Sequence, residues 1–471
     1  MKQLTQDGCG PRGPSSSNYT SEEGKTFARF LALRYAAFMR LRWLAFLLLL
    51  SVLAPAQAQP VLKIPPGAEA GPNFNAETAT RAYLATLSPQ QRARSDAYFE
   101  GGYWLQLWDL LYGAAVAILL LAAGLARRMR EIAERITRRK PLVTWICWIE
   151  YFVAVFVLTI PLTIYEGFWR EKQYGLMNQS FVEWLIDAVK DLGVGAVAGG
   201  ILAMAVFGIV RRLPRTWHVW GAVVTIVFFM FFLAVAPVFI APLYNKYTPL
   251  TDARIREPIL RLARQNGIPA KDVYQVDASR QSDRVSANVS GFLGTMRITL
   301  NDNLLRRCSP QAILSVMGHE MGHYVLNHIW KTMAFLLILV VVFFALLRKG
   351  LDWSLGRWGA RWGIRDVGDP AVLPLALLIL SLLGVFGEPL TNTLSRTQEY
   401  EADVFGLNTA RQPDGEAEAD LLLAEYRKME PTPLEEFLFY DHPSGRTRIY
   451  TAMRWKAENL CLGNAIHPCG R

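Results

Sequence analysis

Charge is in short supply in this chain. Of its 471 residues 19% are Asp, Glu, Lys or Arg, against about 25% in ordinary soluble domains, while 52% are apolar. The deficit is uneven: long uncharged runs alternate with short charged loops, a pattern that excludes a single soluble globule. The net charge of +10 does not point to nucleic acid, because the basic residues lie between apolar runs and not on one soluble face. Lipid topology accounts for them, and no nucleic-acid partner is expected. Cysteine is sparse as well. The five, at positions 9, 147, 308, 461 and 469, contain no CxxC pair, which excludes a cysteine-based zinc cluster. Cys461 and Cys469 read equally as a small disulfide loop or as two unrelated thiols. No fixed-period repeat is present, and matched interrupted halves, the mark of many transporters, are not evident.

What the chain has is hydrophobic length. Six runs, at 105–126, 142–165, 192–210, 217–240, 329–347 and 372–394, are each long enough as a helix to cross about 30 Å of hydrocarbon. The third is rich in Gly and Ala, which suits close helix packing. Upstream, MRLRW, then AFLLLLSVLAP, then AQAQ (from Met39) has the three parts of a secretory signal peptide. Residues 41–58 read equally as an uncleaved first span, and residues 1–38 are expected to be a disordered extension.

The expected division is therefore 1–58 as extension plus signal or first span, 59–104 as a polar soluble segment and 105–246 as a membrane-helix domain. Residues 247–456 are expected to form a further domain with two spans of its own, and 457–471 a tail. A helical pattern is expected over 77–100 and 252–266, strand-like runs at 273–276 and 285–300, and two or three helices over 395–456. Basic loops at 127–140, 211–215 and 348–365 belong inside by the positive-inside rule. That orientation puts 59–104, 241–328 and the C-terminal region outside, in the periplasm for a bacterial inner-membrane protein.

The sharpest motif is Gly318-His319-Glu320-Met321-Gly322-His323. Ser309-Pro310 supplies an N-cap and a first-turn proline for the helix that carries it. Histidines four apart on a helix share a face, so both imidazoles reach one ion. Glu320 then sits beside that ion as a general base, taking a proton from the attacking water and returning it to the departing amine. With only six histidines in the chain, a chance match is a weak rival. Leu326 stands where the longer HExxHxxGxxH motif needs Gly, and His328 falls one residue short of a third histidine ligand. His328 is expected on the surface or in a hydrogen bond. The third ligand must come from elsewhere, and a glutamate is the usual choice. Ser-Arg-Thr-Gln-Glu-Tyr-Glu-Ala-Asp (395–403) offers Glu399 and Asp403 four apart on one helix face. One can bind the metal while the other orients a ligand histidine; Glu401 points elsewhere. Helix-dipole compensation is the bland alternative for these carboxylates.

HExxH, then a span, then SRxxEYxAD, together with APLYNKYTPL (241–250), SANVSGFLGTMRITLNDNLL (286–305) and DHPSGRTRI (441–449), resembles the type I CaaX prenyl protease family of integral-membrane zinc metallopeptidases. The resemblance covers roughly residues 100–456. It implies a multi-pass α-helical membrane protein, a ring of six to seven spans around a water-filled chamber, with a zincin-type α/β metalloprotease domain. It makes His319, His323 and Glu399 ligands of one Zn2+ per chain, Glu320 the base and Asp403 a hydrogen-bond partner of a ligand. His442 becomes a donor to the reaction oxyanion, with Arg448 supporting it. An extended substrate would pair with the strand around Met296, Ile298 and Leu300. Ser286-Ala287 stands where relatives commonly have Asn-Ala, which leaves that substrate contact open. Glu388 inside the last apolar run is expected to face water or a partner, or to reach the interface.

The implied activity is a zinc metalloendopeptidase acting on peptide or protein substrates at a lipid bilayer. Prenylated substrates are not carried over to a chain with a signal-like start. The alternative is a transporter-like or non-catalytic membrane chamber with structural zinc.

Overall fold

The computed structural model describes residues 59–290 and 296–461. The signal or first-span reading, the disordered extension and the Cys461–Cys469 pairing all fall on residues outside that set.

The polar segment opens with helix α1 (Ala76–Leu84), N-capped by the Asn75 side chain. The helical run expected over 77–100 is broken at 85–88, where Ser88-Pro89 starts α2 (Pro89–Ala122) with a reciprocal Ser88–Gln91 capping box. Gly124, in the left-handed region (φ 67), turns the chain into α3 (Leu125–Ile136). Three spans follow: α4 (Lys140–Ile164), α5 (Phe181–Arg212) and α6 (Trp217–Phe239).

A small α/β unit comes next, with β1 (Tyr247–Pro249), α7 (Ala253–Gln265), β2 (Val273–Val276), β3 (Ala287–Ser290), β4 (Arg297–Asn301) and α8 (Asp302–Arg307). The motif helix α9 (Pro310–Val325) leads to α10 (His328–Trp362) and α11 (Leu373–Ala410). Helices α12 (Pro413–Leu423), α13 (Pro433–Phe439) and α14 (Gly445–Lys456) complete the fold.

Among the described residues six helices are long and apolar enough to span a membrane: those beginning at Pro89, Lys140, Phe181, Trp217, His328 and Pro370. Large apolar side chains stand bare along them, among them Phe231, Ile338 and Phe386. Water would reject such surfaces and hydrocarbon accepts them.

The three basic connections gather at one end. Arg130 on α3 pairs with buried Asp369, Arg365 grips Glu134 with a 2.8 Å contact, and Arg211 donates to the Gly368 carbonyl at 3.1 Å. Helices α10 and α11 run between that end and the opposite one, where α9 sits.

The sheet order is β1-β2-β4-β3. β4 pairs parallel with β2 on one side and antiparallel with β3 on the other. This corrects the expectation that the Met296–Leu300 strand receives substrate: both its edges are used, and Ile298 and Leu300 are fully buried against Ile313, Met317 and Met321 of α9. The edge strands of the sheet are β1 and β3, and β3 lies alongside α9.

Candidate metal centre

α9 starts where expected. Ser309 accepts from the Ala312 amide at 3.2 Å, and its own amide donates to Glu418 at 2.9 Å. The motif then places His319 and His323 one turn apart, with Nε2 atoms 3.0 Å from each other.

The carboxylate arrives on α11. Residues 395–403 do not form a separate helix after the last span; they are the outward continuation of the span itself. Two helices can meet this closely because their seam lacks side chains. A Cβ on Gly318 would lie 3.1 Å from the Gly406 Cα, and one on Gly322 would lie 3.1 Å from the Ala402 Cα. Gly and Ala at i, i+4 on both helices form the contact, a small-residue seam of the kind that packs membrane helices.

Across it, Glu399 Oε2 lies 3.1 Å from His319 Nε2 and Glu399 Oε1 lies 3.4 Å from His323 Nε2. Ligands about 2.0–2.1 Å from a tetrahedral ion are about 3.3 Å apart, so edges of 3.0, 3.1 and 3.4 Å suit zinc. Glu399 Oε2 is buried and makes no hydrogen bond. Lone pairs facing one another in a buried site repel, and a cation is what satisfies them. His319, His323 and Glu399 are one of two donor groups compact enough for a metal among the described residues; the other, His319, Asp403 and Glu416, shares His319. Two imidazoles and one carboxylate are a donor set that zinc favours.

A network of buried charges stands behind His319. Asp403, 2% exposed, accepts from His319 Nδ1 at 2.8 Å. It is gripped by Arg448 at 2.9 and 2.6 Å. The same guanidinium reaches Glu416 at 3.2 Å and Asp420 at 3.0 Å. Burial works against the Arg448 charge, but Asp403, Asp420 and Glu416 hold it firmly protonated. Burial likewise pushes the Asp420 and Glu416 carboxyls up from the usual range. Arg448 therefore acts on Asp403; its expected support of His442 is not what the geometry has. The group beside His442 is Asp441, whose Oδ1 lies 2.8 Å from His442 Nδ1. Only their adjacency in the sequence hinted at that pairing. His442 Nε2 stands 3.3 Å from Glu399 Oε2, at the edge of the donor triangle.

Glu320 has no hydrogen bond or ion pair among the described residues. Burial pushes its carboxyl up to about 7; a cation at the donors would draw it down again. Ser286 accepts from the Asn301 amide at 3.0 Å, and Ala287 is the first residue of β3. Glu388 accepts from Gln106 of α2 at 2.9 Å, the partner form of the expectation. His328 is 3% exposed and lies 2.9 Å from His323 Nδ1, so it is the hydrogen-bonding histidine and not a surface one.

A bundle of spanning helices with an HExxH helix docked on the last of them defines the class of membrane metallopeptidases. Residues 249–456 match the model of peptidase family M48, and residues 75–246 match that of the CAAX prenyl protease N-terminal region, five membrane helices. The chain belongs to peptidase family M48. Its relatives include the "Uncharacterized metalloprotease YhfN" of Bacillus subtilis, 28% identical over 343 residues that cover 72% of this chain and 80% of that one. CAAX prenyl protease 1 of Saccharomyces cerevisiae is 26% identical over 318 residues, 64% of this chain and 70% of that one. The crystal structure of S. mikatae Ste24p superposes with a TM-score of 0.66 at 21% identity, covering 78% of this chain and 89% of that chain. The two share a fold.

Proposed function

We propose that this chain is a zinc-dependent endopeptidase of the membrane that cleaves membrane-proximal or unfolded polypeptides. The observation that carries the reading is the His319–His323–Glu399 donor triangle with the unpartnered Glu320 next to it. Zinc held there by His319, His323 and Glu399 would supply Lewis acidity and lower the pKa of a water enough to make it a nucleophile at neutral pH. Glu320 accepts the proton of that water and passes it to the departing amine. His442, oriented by Asp441, donates to the oxyanion of the tetrahedral intermediate. Asp403, fixed by Arg448, holds the His319 ring with Nε2 toward the donors.

Substrate backbone is proposed to add to the outer edge of β3. Asn301 and Ser286 face each other in the β3–β4 register, so 286, 288 and 290 point their amides toward β4 while Ala287 and Val289 point theirs outward. Ala287 thereby stays in the substrate site, and Met296 and Ile298 leave it. The relatives' names speak of CAAX prenyl substrates; the reading here requires only an extended peptide. We place the protein in a bacterial inner membrane with the site on the periplasmic face, since the basic connections cluster at the opposite end.

The test is purification in detergent, zinc quantification and digestion of an unprenylated peptide library by wild type and Glu320→Gln. One zinc per chain in both proteins and cleavage by wild type alone is expected. Equal cleavage by the two removes Glu320 from the mechanism, and zinc without any cleavage favours the non-catalytic chamber.

A further inference from the structure

We propose that His328 and Glu401 are positioning residues that, through a chain of hydrogen bonds, fix the ring of His323 at the metal centre. The proposal rests on the metalloprotease reading above.

His319 and His323 are unequal in their support. His319 leans directly on a buried carboxylate, Asp403. Among the described residues His323 has no carboxylate at its Nδ1. It has instead the Nδ1 of His328 at 2.9 Å, and the Nε2 of His328 in turn lies 3.0 Å from Glu401 Oε2. The same oxygen accepts from Lys331 Nζ at 2.9 Å. The protons along this chain have one self-consistent arrangement. If His323 presents the lone pair of Nε2 to the ion, its Nδ1 carries the hydrogen and donates to His328 Nδ1. His328 must then carry its own hydrogen on Nε2, which donates to Glu401. An anionic carboxylate, kept charged by Lys331, is the acceptor that holds that arrangement.

The backbone is shaped for this contact. Between α9 and α10 only Leu326 and Asn327 intervene, and Asn327 adopts φ 57, one of two non-glycine residues with positive φ among the described residues. Asn tolerates that region better than most residues. The reversal swings the first residue of α10 back under the last turn of α9. The His323 and His328 rings meet edge-to-face, with centroids 5.0 Å apart. Glu401 was the member of the 395–403 segment that faces away from the ion; facing away is what brings it to His328.

A buried, satisfied histidine with no bearing on the metal would show the same burial, so the test separates the two. Full-length wild type, His328→Phe, His328→Gln and Glu401→Gln are loaded with one zinc, and release to a competing chelator is followed. Metal-free melting temperatures are measured in parallel, and cobalt-substituted absorption spectra report the ligand field. A ligand-orienting partner of this kind contributes about 10–100-fold in metal affinity. His328→Phe is expected to weaken zinc binding by about that factor and to alter the cobalt spectrum. His328→Gln, which keeps an acceptor, should recover part of the loss, and Glu401→Gln should fall between. Wild-type affinity and an unchanged spectrum in His328→Phe, whether or not its metal-free form melts lower, would overturn the relay while leaving the protease reading intact. A wild type that binds no stoichiometric zinc overturns both.

Discussion

A methyl group built on Gly406 would sit 2.8 Å from the backbone nitrogen of His319. The last spanning helix thus touches the main chain of the motif helix at His319, a proposed ligand, and the spacing of the candidate donors is set by a missing side chain. Gly406→Ala should force the helices apart. Overpacking of this kind costs about 1–3 kcal/mol, and zinc content should fall with it. Thermal unfolding in detergent and metal analysis on the same sample check both effects; a variant with native stability and full zinc would mean that the seam yields more easily than its geometry implies.

Removing the metal should abolish activity reversibly. Dialysis against a strong chelator is expected to leave a folded but inactive protein, restored by one equivalent of zinc. His319→Ala and Glu399→Ala should not be restored by such an addition, because each lacks a donor. Retention of zinc by Glu399→Ala would send the search for a third ligand elsewhere.

Arg448 stands between three buried carboxylates. Replacing it with Met leaves Asp403, Glu416 and Asp420 without their cation, a loss on the order of 3–5 kcal/mol for a buried pair broken on one side. Denaturant unfolding should show a large drop in midpoint. Adding Asp420→Asn to Arg448→Met should recover part of that loss, and a double variant no more stable than the single one would argue against this account.

The open edge of β3 predicts a separation of binding from chemistry. Val289→Pro deletes an outward amide and leaves the ladder to β4 intact, so KM should rise severalfold while zinc content stays at wild type. If KM for peptides does not change, substrate does not dock on that edge.

Orientation has its own check. Alkaline phosphatase fused to the C-terminus should be active if the site faces the periplasm, and an inactive but stable fusion would reverse the assignment.

Much of this was legible in the residues. Histidines at i, i+4 behind a Ser-Pro cap announce a helix with two imidazoles on one face because helix geometry alone aligns them, and six apolar runs announce spans because hydrocarbon thickness sets their length. Glu399 could be nominated from its spacing to Asp403. What stayed hidden depends on neighbours distant in sequence. The glycines at 318, 322 and 406 look like permissive residues until the opposing helix is in place. Strand β4 reads as well for an edge as for an interior strand, since its pattern records burial and not hydrogen-bond partners. Glu401 and His328 are 73 residues apart, and no periodicity links them.

One consequence follows from the length of α11. The Glu399 carboxylate is carried by the same helix as the last apolar span, Leu373–Ala410, which contains Pro389, with Glu399 about 39 Å along it at 1.5 Å per residue. With zinc held by Glu399 as proposed, a change in the tilt of that helix in lipid or detergent would displace an oxygen ligand. Metal retention should then vary with the solubilising environment, a dependence that zinc analysis across detergents can measure.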